Sequence, residues 1–485
     1  MPRIKAFLLR LHTPIWLGIL VAVVLVLRIP SFFEPYYYGD EMIYLTLGHG
    51  IRAGIPLYLG LHDNKPPLIY LLAALVGNLF WFKVALASFN VAGVIFFWKL
   101  TEALFPKKGK LQAISTIAFG ILTTIPFFEG NTVNAEALML VPTIAAFLVL
   151  FKKNSAPLNL IFAGGLFSLA ALFKIPAAFE FPVIFVFWVI TSKFSVKKAF
   201  YITAGFLLPV GLSFLWFFMA GAGKEYLVAA YLQNFGYVSS WRQGTFGQGN
   251  FLTNNGPLLF RGLVVLVGTS LLTLFRKKLS KPFIFACLWL LFSLFAVTIS
   301  ERPYPHYLIQ ALPAASLLLG ILISDTSLEQ SLTVIPLALF FLVPSFYNFW
   351  TYQTGNYYAR FARFAAKKIT KEEYFSKFEG ATPSNYRVAE ILAASTAPNE
   401  KVFVWGGDSP TIYALSRRLP PIKYIADYHV FDYSDLSSVF KEIEAKKPEF
   451  IVILPNAREF PLLKNLAQKE YFLIDNSSEV EIWTK

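Results

Sequence analysis

The chain has 485 residues, of which 56% are hydrophobic and 17% aromatic, while only 15% are charged. This composition lies outside the range of soluble globular proteins, and repeated apolar runs match a hydrocarbon core of about 30 Å. The formal net charge of +14 comes largely from short basic clusters between apolar runs. Such clusters set membrane orientation, so nucleic acid is excluded as a partner. A single cysteine, Cys287, excludes disulfides within the chain and argues against a thiol catalyst or zinc–thiolate site.

The N-terminus, MPRIKAFLLRLH, is basic and leads into an apolar run from Pro14 to Leu27. No small-residue cleavage motif follows this run. We therefore expect a retained signal anchor, with the N-terminus in the cytoplasm of a plasma (inner) membrane protein.

The predicted first outer loop, residues 34–82, contains the stretch from Tyr36 to Tyr70, which is the longest polar interruption in the first 220 residues. Ionisable groups kept beside a membrane domain mark functional sites, because their desolvation is costly. We therefore predict that this loop forms half of an active site. Its titratable side chains between Tyr36 and Tyr70 include Asp40, Glu41, His49, His62 and Lys65.

Asp40 and Glu41 are candidate catalytic residues, because shielded carboxylates can act as general bases or metal ligands. The alternative is that they cap an amphipathic helix over Met42–Arg52, since acids favour a helix N-terminus. Lys65 precedes two prolines, which favour an extended backbone and a fixed direction for the ammonium. A compact positive charge of this kind suits a phosphate, although a lysine snorkelling to the interface is the alternative.

The basic loops define a topology. Clusters at Lys107–Lys110, Lys152–Lys153, Lys193–Lys198 and Arg276–Lys281 are predicted to be cytoplasmic, so the acidic connections between them are outside. This alternation requires residues 66–104 to cross the membrane once, so we predict that 66–82 does not span and that 83–104 does. The result is about eleven spans in a membrane domain over residues 1–351.

Later outer loops carry further candidates. Glu129 and Glu136 flank EGNTVNAE and could bind a divalent metal ion through oxygen ligands. A turn with a helix cap explains the asparagines of this loop equally well. Lys174 in LFKIPAAFE, and Arg302 and His306 in ERPYPHY, are predicted to meet the first loop at one membrane face and to bind a lipid phosphate there. Taken singly, His306 is more often a packed interface histidine.

Residues 352–485 differ in composition, with charged residues returning between short apolar runs. Strands alternating with helices predict a small extracytoplasmic α/β domain. The predicted strands are Val402–Trp405, Tyr424–Ala426, Phe450–Leu454 and Tyr471–Ile474, and the predicted helices are Ser384–Ala397, Asp435–Lys446 and Arg458–Lys469.

The motif pair Gly39-Asp40-Glu41 and Lys65-Pro66-Pro67-Leu68 resembles the GT-C glycosyltransferases of the protein O-mannosyltransferase and lipid A aminoarabinose transferase type. The stretches LFKIP, ERPYPHYLIQALPA and VFVWGGDSPTIYALSRRLP are similar to later motifs of that group. The resemblance implies a membrane enzyme that takes a sugar from a polyprenyl-phosphate carrier at the outer face, with Asp40 as the catalytic carboxylate and Lys65 contacting the carrier phosphate. Asn64 departs from the glutamate of aminoarabinose transferases, so a metal role there would need His62 or Glu129 instead.

The expected reaction is inverting transfer of a hexose or pentose to a hydroxyl of a protein, lipid or glycan acceptor. Asp40 would take the acceptor proton, while Lys65, with Arg302 and Lys174, would stabilise the leaving phosphate. One alternative is a transporter or flippase for lipid-linked sugars, which predicts an inverted repeat and charges at the bilayer midplane. The other is a non-catalytic membrane subunit whose outer domain binds a partner.

Overall fold

The computed structural model describes residues 13–152, 155–237, 251–324, 326–455 and 457–485. The predicted anchor start MPRIKAFLLRLH lies outside these residues, as do Lys153 of a basic cluster, Asp325, and part of the predicted outer loop 224–255. The chain forms two compact units. The first unit comprises Met1–Ile29, Val84–Phe214 and Leu232–Thr354, and the second comprises Pro30–Lys83, Leu215–Tyr231 and Gly355–Lys485.

The unit boundaries differ from the predicted division after residue 351. One boundary falls close by, after Thr354, but residues 30–83 group with the C-terminal residues rather than with the membrane helices. The physical reason is local packing: the Thr46 hydroxyl, on a helix of the first loop, donates to the Pro410 carbonyl at 3.2 Å in a helix of the C-terminal segment.

Helices dominate the chain, as its apolar composition requires. Within the described ranges, eight helices are long and apolar enough to cross a membrane, and the shorter apolar helices are Gly109–Leu122, Pro157–Phe173 and Ile175–Ile190. The chain is thus a polytopic α-helical membrane protein; the number of crossings and their direction stay predictions. Up to residue 346 the α-helices are α1 (Ile15–Arg28), α2 (Gly39–Arg52), α3 (Leu68–Val76), α4 (Leu79–Leu104), α5 (Gly109–Leu122), α6 (Ala135–Lys152), α7 (Pro157–Phe173), α8 (Phe181–Ile190), α9 (Val196–Met219), α10 (Gly223–Leu227), α11 (Gln233–Tyr237), α12 (Phe251–Leu274), α13 (Lys281–Thr298), α14 (Leu312–Ser324), α15 (Leu328–Leu332) and α16 (Val334–Phe346).

The first unit is held together by close helix packing. A Cβ atom at Gly164 of α7 would meet the Ile202 carbonyl of α9 at 2.0 Å, so only glycine permits this approach. Aromatic rings fill the interior, for example Phe147 and Trp289, whose ring centroids lie 4.7 Å apart.

The segment after the first loop is the point on which the predicted topology depends. Helix α3 has nine residues, which at 1.5 Å per residue is roughly 14 Å, too short to cross the hydrocarbon core. It ends at Gly77, whose φ of 75° favours glycine. The next helix begins at Leu79 rather than at the predicted residue 83, because the Asn78 Oδ1 accepts the Trp81 N–H at 3.0 Å and caps it.

The C-terminal part of the second unit contains a four-stranded sheet of order β1-β2-β4-β3. Strands β1 and β2 are parallel, while β4 is antiparallel to both β2 and β3. The predicted α/β organisation is confirmed. The strands are β1 (Val402–Trp405), β2 (Phe450–Ile453), β3 (Phe472–Asp475) and β4 (Glu481–Thr484), and the remaining helices are α17 (Thr354–Ala365), α18 (Lys371–Phe375), α19 (Thr382–Ser395), α20 (Ser409–Ser416), α21 (Asp427–Tyr433), α22 (Leu436–Lys446) and α23 (Pro461–Glu470).

Two strand predictions need correction. Tyr424–Ala426 is not a strand; its side chains are buried, and the run leads directly into α21. Its apolar character reflects burial and not a place in the sheet, and the carbonyl of neighbouring Lys423 accepts the His62 N–H of the first loop at 2.9 Å. Strand β4 was not predicted, because its four residues at the chain end carry little apolar signal.

Candidate active site

Helix α2 positions the two adjacent carboxylates of the first loop. It begins at Gly39, not at the predicted Met42, and its N-cap residue Tyr38 makes no side-chain cap bond. Asp40 and Glu41 therefore lie within the first turn, where the helix dipole stabilises a negative charge, but neither of them is the N-cap residue. Consecutive helical residues point about 100° apart, so the two carboxylates reach different surroundings.

Asp40 lies beside Lys65 and a second carboxylate, Asp63. The Lys65 Nζ is 3.8 Å from Asp40 Oδ1 and 3.7 Å from Asp63 Oδ2. The Tyr44 hydroxyl donates to Asp40 Oδ2 at 2.9 Å. The side chain of Asp40 is 30% exposed and that of Asp63 only 3%. We call Asp40, Asp63 and Lys65 the Lys65 centre. Of its two carboxylates, only that of Asp40 is accessible to a substrate.

Buried tyrosines fix the backbone of Lys65. The Tyr58 hydroxyl donates to the Lys65 carbonyl at 2.8 Å, and the Lys65 N–H donates to the Tyr70 hydroxyl at 3.2 Å. The Tyr70 hydroxyl in turn donates to Asp63 Oδ2 at 2.7 Å. The Lys65 Nζ also lies 5.1 Å from the ring centroid of Tyr44. With its backbone held on both sides before Pro66, Lys65 is not a freely snorkelling lysine.

Asp63 was missed by the sequence analysis. Burial alone would raise the pKa of its carboxyl, but Lys65, His429 and the hydrogen bonds from Tyr70 and the Asn64 N–H together hold that pKa below its usual value. Asp63 therefore stays ionised and keeps the ammonium of Lys65 in place. The spacing offered a signal, since residues two apart on an extended chain point to the same side.

His429 also joins this group, with its Nε2 3.7 Å from Asp63 Oδ1. Burial lowers the pKa of its imidazole, and the nearby Asp63 opposes that shift. His62 lies close by: its ring centroid is 6.3 Å from that of His429 and 4.8 Å from that of Tyr433. His62 thus packs among aromatic rings in the second unit.

Glu41 belongs to a different centre. Its Oε1 lies 2.6 Å from the Nζ of Lys83, which is also 2.7 Å from Glu34 Oε2, and all three side chains are 0% exposed. The Tyr357 hydroxyl donates to Glu34 Oε1 at 2.6 Å. We call Glu34, Glu41 and Lys83 the Lys83 centre. Glu41, predicted as catalytic together with Asp40, is closed off in a structural ion pair, so Asp40 is the candidate base.

In the first unit, four other predicted residues form one buried cluster. Glu129 is paired with His306 Nδ1, and Lys174 is paired with Glu136. His306 Nε2 lies 3.8 Å from Glu136 Oε1, which links the two pairs. The Lys174 Nζ is 4.1 Å from the ring centroid of Tyr307. The loop from Glu129 to Glu136 is therefore fixed by ion pairs to neighbouring helix ends.

Arg302 lies four residues before His306 and is half-buried, with its backbone N–H donating to the Ser300 hydroxyl at 3.4 Å. Its neighbour Glu301 is paired with Arg261 of α12. The first unit thus brings Lys174 and His306 together. Their convergence with Asp40 and Lys65 on one membrane face stays a prediction.

The arrangement of Glu129 and Glu136 does not fit a divalent metal ion. Each carboxylate faces a cationic or imidazole partner where a metal would stand. Over the residues that the structure describes, no group of three or more His, Cys, Asp or Glu side chains could hold a metal ion.

Comparison with solved structures identifies the fold. The chain superposes on ArnT, the lipid A aminoarabinose transferase, from Cupriavidus metallidurans bound to undecaprenyl phosphate, with a TM-score of 0.61, 15% identity, and coverage of 96% of this chain and 97% of that one. The apo state of ArnT gives a TM-score of 0.58 at 14% identity, with the same coverage of both chains. No family model matches the sequence, and no curated protein matches it. The chain thus has the GT-C fold, as the resemblance implied.

Proposed function

We propose that this protein is a membrane glycosyltransferase that moves a sugar from a polyprenyl-phosphate carrier to an acceptor hydroxyl, with inversion at the anomeric carbon. The observation that carries the proposal is the Lys65 centre, which presents an exposed carboxylate beside a fixed ammonium. The GT-C fold supports it, because ArnT has this fold and is described bound to undecaprenyl phosphate.

The chemistry requires one proton acceptor and one stabiliser of the leaving group. As the acceptor oxygen attacks the anomeric carbon, its proton passes to the Asp40 carboxylate, and the bond from that carbon to the phosphate oxygen breaks. Asp40 suits the first task because it is accessible and because the Tyr44 hydroxyl holds its Oδ2, which orients the carboxylate.

Lys65 suits the second task. Its side chain is 16% exposed, and the distances of 3.8 and 3.7 Å from its Nζ to the two carboxylates are longer than ordinary hydrogen bonds. A phosphate that approaches the ammonium would therefore not have to break a tight ion pair with either of these two carboxylates. Negative charge develops on the phosphate oxygen as the sugar leaves, and a fixed positive charge stabilises it at that moment.

The remaining predicted phosphate ligands rank behind Lys65. Lys174 and His306 are each engaged by a buried carboxylate, so a phosphate would have to displace Glu136 or Glu129. We propose Arg302 as a second cation for the phosphate, because a guanidinium can bind a phosphate in two-point fashion. We further propose that the reaction takes place at the outer face of the membrane. The donor would carry a hexose or a pentose, and the acceptor would be a protein, a lipid or a glycan.

A transfer assay tests the proposal. The purified full chain is incubated with a panel of polyprenyl-phosphate sugars, and product formation is compared between the wild type, Asp40→Asn, and Glu444→Gln as a control at an exposed carboxylate of α22. We expect Asp40→Asn to lower turnover by roughly 10² to 10⁴, the usual share of general-base catalysis, with donor affinity unchanged. Glu444→Gln should retain wild-type turnover.

Two results would contradict this assignment. Full turnover of Asp40→Asn would remove Asp40 as the base. Movement of the lipid-linked sugar across a vesicle membrane, without any product from any donor, would favour a transporter instead.

A further inference from the structure

A second polar site lies on the other side of helix α2. A cavity of about 270 Å³ opens there in the second unit, bounded by α2, by the junction between α3 and α4, and by the end of α20. Leu45, His49 and Arg52 contribute the α2 wall. His49 is nine residues beyond Asp40, so at 100° per residue the two point about 180° apart around the helix axis. The cavity is therefore distinct from the Lys65 centre.

The charged groups that line this cavity are Arg52 and Arg417, and His49 adds an imidazole, while the lining contains no carboxylate. Across the described part of the chain, neither guanidinium lies within 4.0 Å of a carboxylate oxygen, in contrast to the arginines paired at Asp475 and Glu301. Two arginines that converge without a counter-charge create a positive potential that an anion would neutralise.

The uncharged polar groups of the lining are also donors. The Asn78 Oδ1 accepts the Trp81 N–H, which leaves the amide NH₂ of that side chain to donate. The Tyr36 hydroxyl accepts the Leu79 N–H at 3.1 Å, and burial raises the pKa of Tyr36, so its hydroxyl keeps a proton. A site composed of donors recognises an acceptor-rich group such as phosphate.

The backbone is arranged to bring the two arginines in. Arg417 has a φ of 55°, a left-handed conformation that glycine would adopt at less cost. At Gly77, a Cβ atom would lie 2.1 Å from Arg52 Nη1, so the guanidinium packs directly against this glycine. The pKa of His49 is lowered by burial and then by its neighbours Arg417, Arg52 and Lys401, against a hydrogen bond with the Arg417 backbone.

The cavity adjoins the start of a membrane helix. Gly77 and Asn78 immediately precede α4, a candidate span. Beside them, Leu75 is 83% exposed and Trp81 53%. An apolar residue and a tryptophan next to a cationic site are typical of the headgroup level of a bilayer.

We propose that this cavity is a phosphate-binding site, formed by Arg52 and Arg417 and separate from the site of sugar transfer. Its ligand is a phosphate monoester or diester, carried by an anionic lipid headgroup or by a soluble molecule. The exposed apolar residues beside it favour the lipid as the source.

Binding measurements on the purified full chain in neutral detergent test this. Native mass spectrometry follows the binding of phosphatidylglycerol, with phosphatidylcholine as the zwitterionic comparison, and thermal stabilisation by inorganic phosphate follows the soluble source. The double variant Arg52→Ala/Arg417→Ala should lose at least tenfold in affinity. The matched control Arg276→Ala/Arg363→Ala removes two exposed arginines elsewhere and should bind as the wild type does.

The binding results distinguish a lipid source of the phosphate from a soluble one. Selective binding of phosphatidylglycerol that is lost in the cavity variant supports a lipid source, whereas inorganic phosphate binding lost in that variant without lipid selectivity supports a soluble one. Equal affinities in the cavity variant and the wild type would overturn the proposal, as would the absence of binding by either probe. Because Arg52 and Arg417 are exposed, an unchanged melting temperature without ligand verifies that the variant is folded.

Discussion

Two adjacent residues, Asp40 and Glu41, belong to two different centres, each of which contains one lysine and two carboxylates. The two centres differ in their ion-pair distances and in their exposure to solvent. Each centre has one lysine between two carboxylates: Lys65 with Asp40 and Asp63, and Lys83 with Glu41 and Glu34. In the Lys65 centre the ammonium lies 3.8 and 3.7 Å from its partners, and Asp40 is 30% exposed. In the Lys83 centre the distances are 2.6 and 2.7 Å, and no side chain is exposed.

The comparison shows that burial, rather than residue type, separates a reactive group from a structural one. Charges removed from water must be compensated by close partners, so the Lys83 centre has no capacity left for a substrate. The Lys65 centre keeps loose ion pairs and an accessible carboxylate, which a substrate can use. Since both centres include the first turn of α2, the buried one fixes the helix on which Asp40 lies.

The largest effect should come from removing Lys83. Lys83→Ala leaves Glu34 and Glu41 buried without their cation, and breaking a buried pair costs about 3 to 5 kcal/mol. We expect strongly reduced stability and yield of the folded protein, measured by thermal unfolding in detergent. Activity per folded molecule should also fall, because Asp40 loses its support.

The same helix provides the matched control. Lys99 of α4 pairs with Glu102 at 3.0 Å, with both side chains more than a quarter exposed. Lys99→Ala should cost under about 1 kcal/mol, as partly exposed pairs do. Equal losses in the two variants would end the distinction between the centres.

Removing Lys65 should affect binding more than folding. In Lys65→Ala, Asp63 keeps its hydrogen bonds from Tyr70 and the Asn64 N–H, so the fold survives. Donor affinity should fall by about 1.5 to 3 kcal/mol, the value of a hydrogen bond to a charged group. Calorimetric titration with a polyprenyl phosphate measures this loss. Unchanged affinity would remove Lys65 as the phosphate ligand.

The sequence predicted the Lys65 centre in part and the Lys83 centre not at all. Asp40 and Lys65 were found because both lie in a short polar stretch next to an apolar run. Lys83 was assigned to a span, and its partner Glu34 is 49 residues away in the chain. Pairing over that distance depends on how helices pack, which no local pattern contains.

Helix ends were predicted less accurately than helix positions, for a related reason. The apolar signal of α4 is strong across its length, but its start depends on one side chain, the Asn78 cap. Helix α2 differs, since it starts before Met42 without a side-chain cap and no capping residue in the sequence marks its beginning. Sequence patterns report which face of a helix is apolar, but they do not fix the residue at which the helix begins.

The smallest expected effect concerns acid stability of the Lys65 centre. Burial would raise the pKa of Asp63, but Lys65, His429 and hydrogen bonds hold it below its usual 3.8. A carboxyl with a lowered pKa in the folded state stabilises the fold above its unfolded pKa, and this contribution is lost as the pH falls through the folded pKa. The stability difference between the wild type and Asp63→Asn should therefore be constant near neutral pH and shrink below pH 3.8.

Glu442→Gln, at an exposed carboxylate of α22, serves as the control, and its difference from the wild type should stay small throughout. Acid titrations of thermal unfolding test this, and a difference for Asp63→Asn that grows as the pH falls would show that the pKa of Asp63 is raised in the folded protein, which would contradict its role as the ionised partner of Lys65.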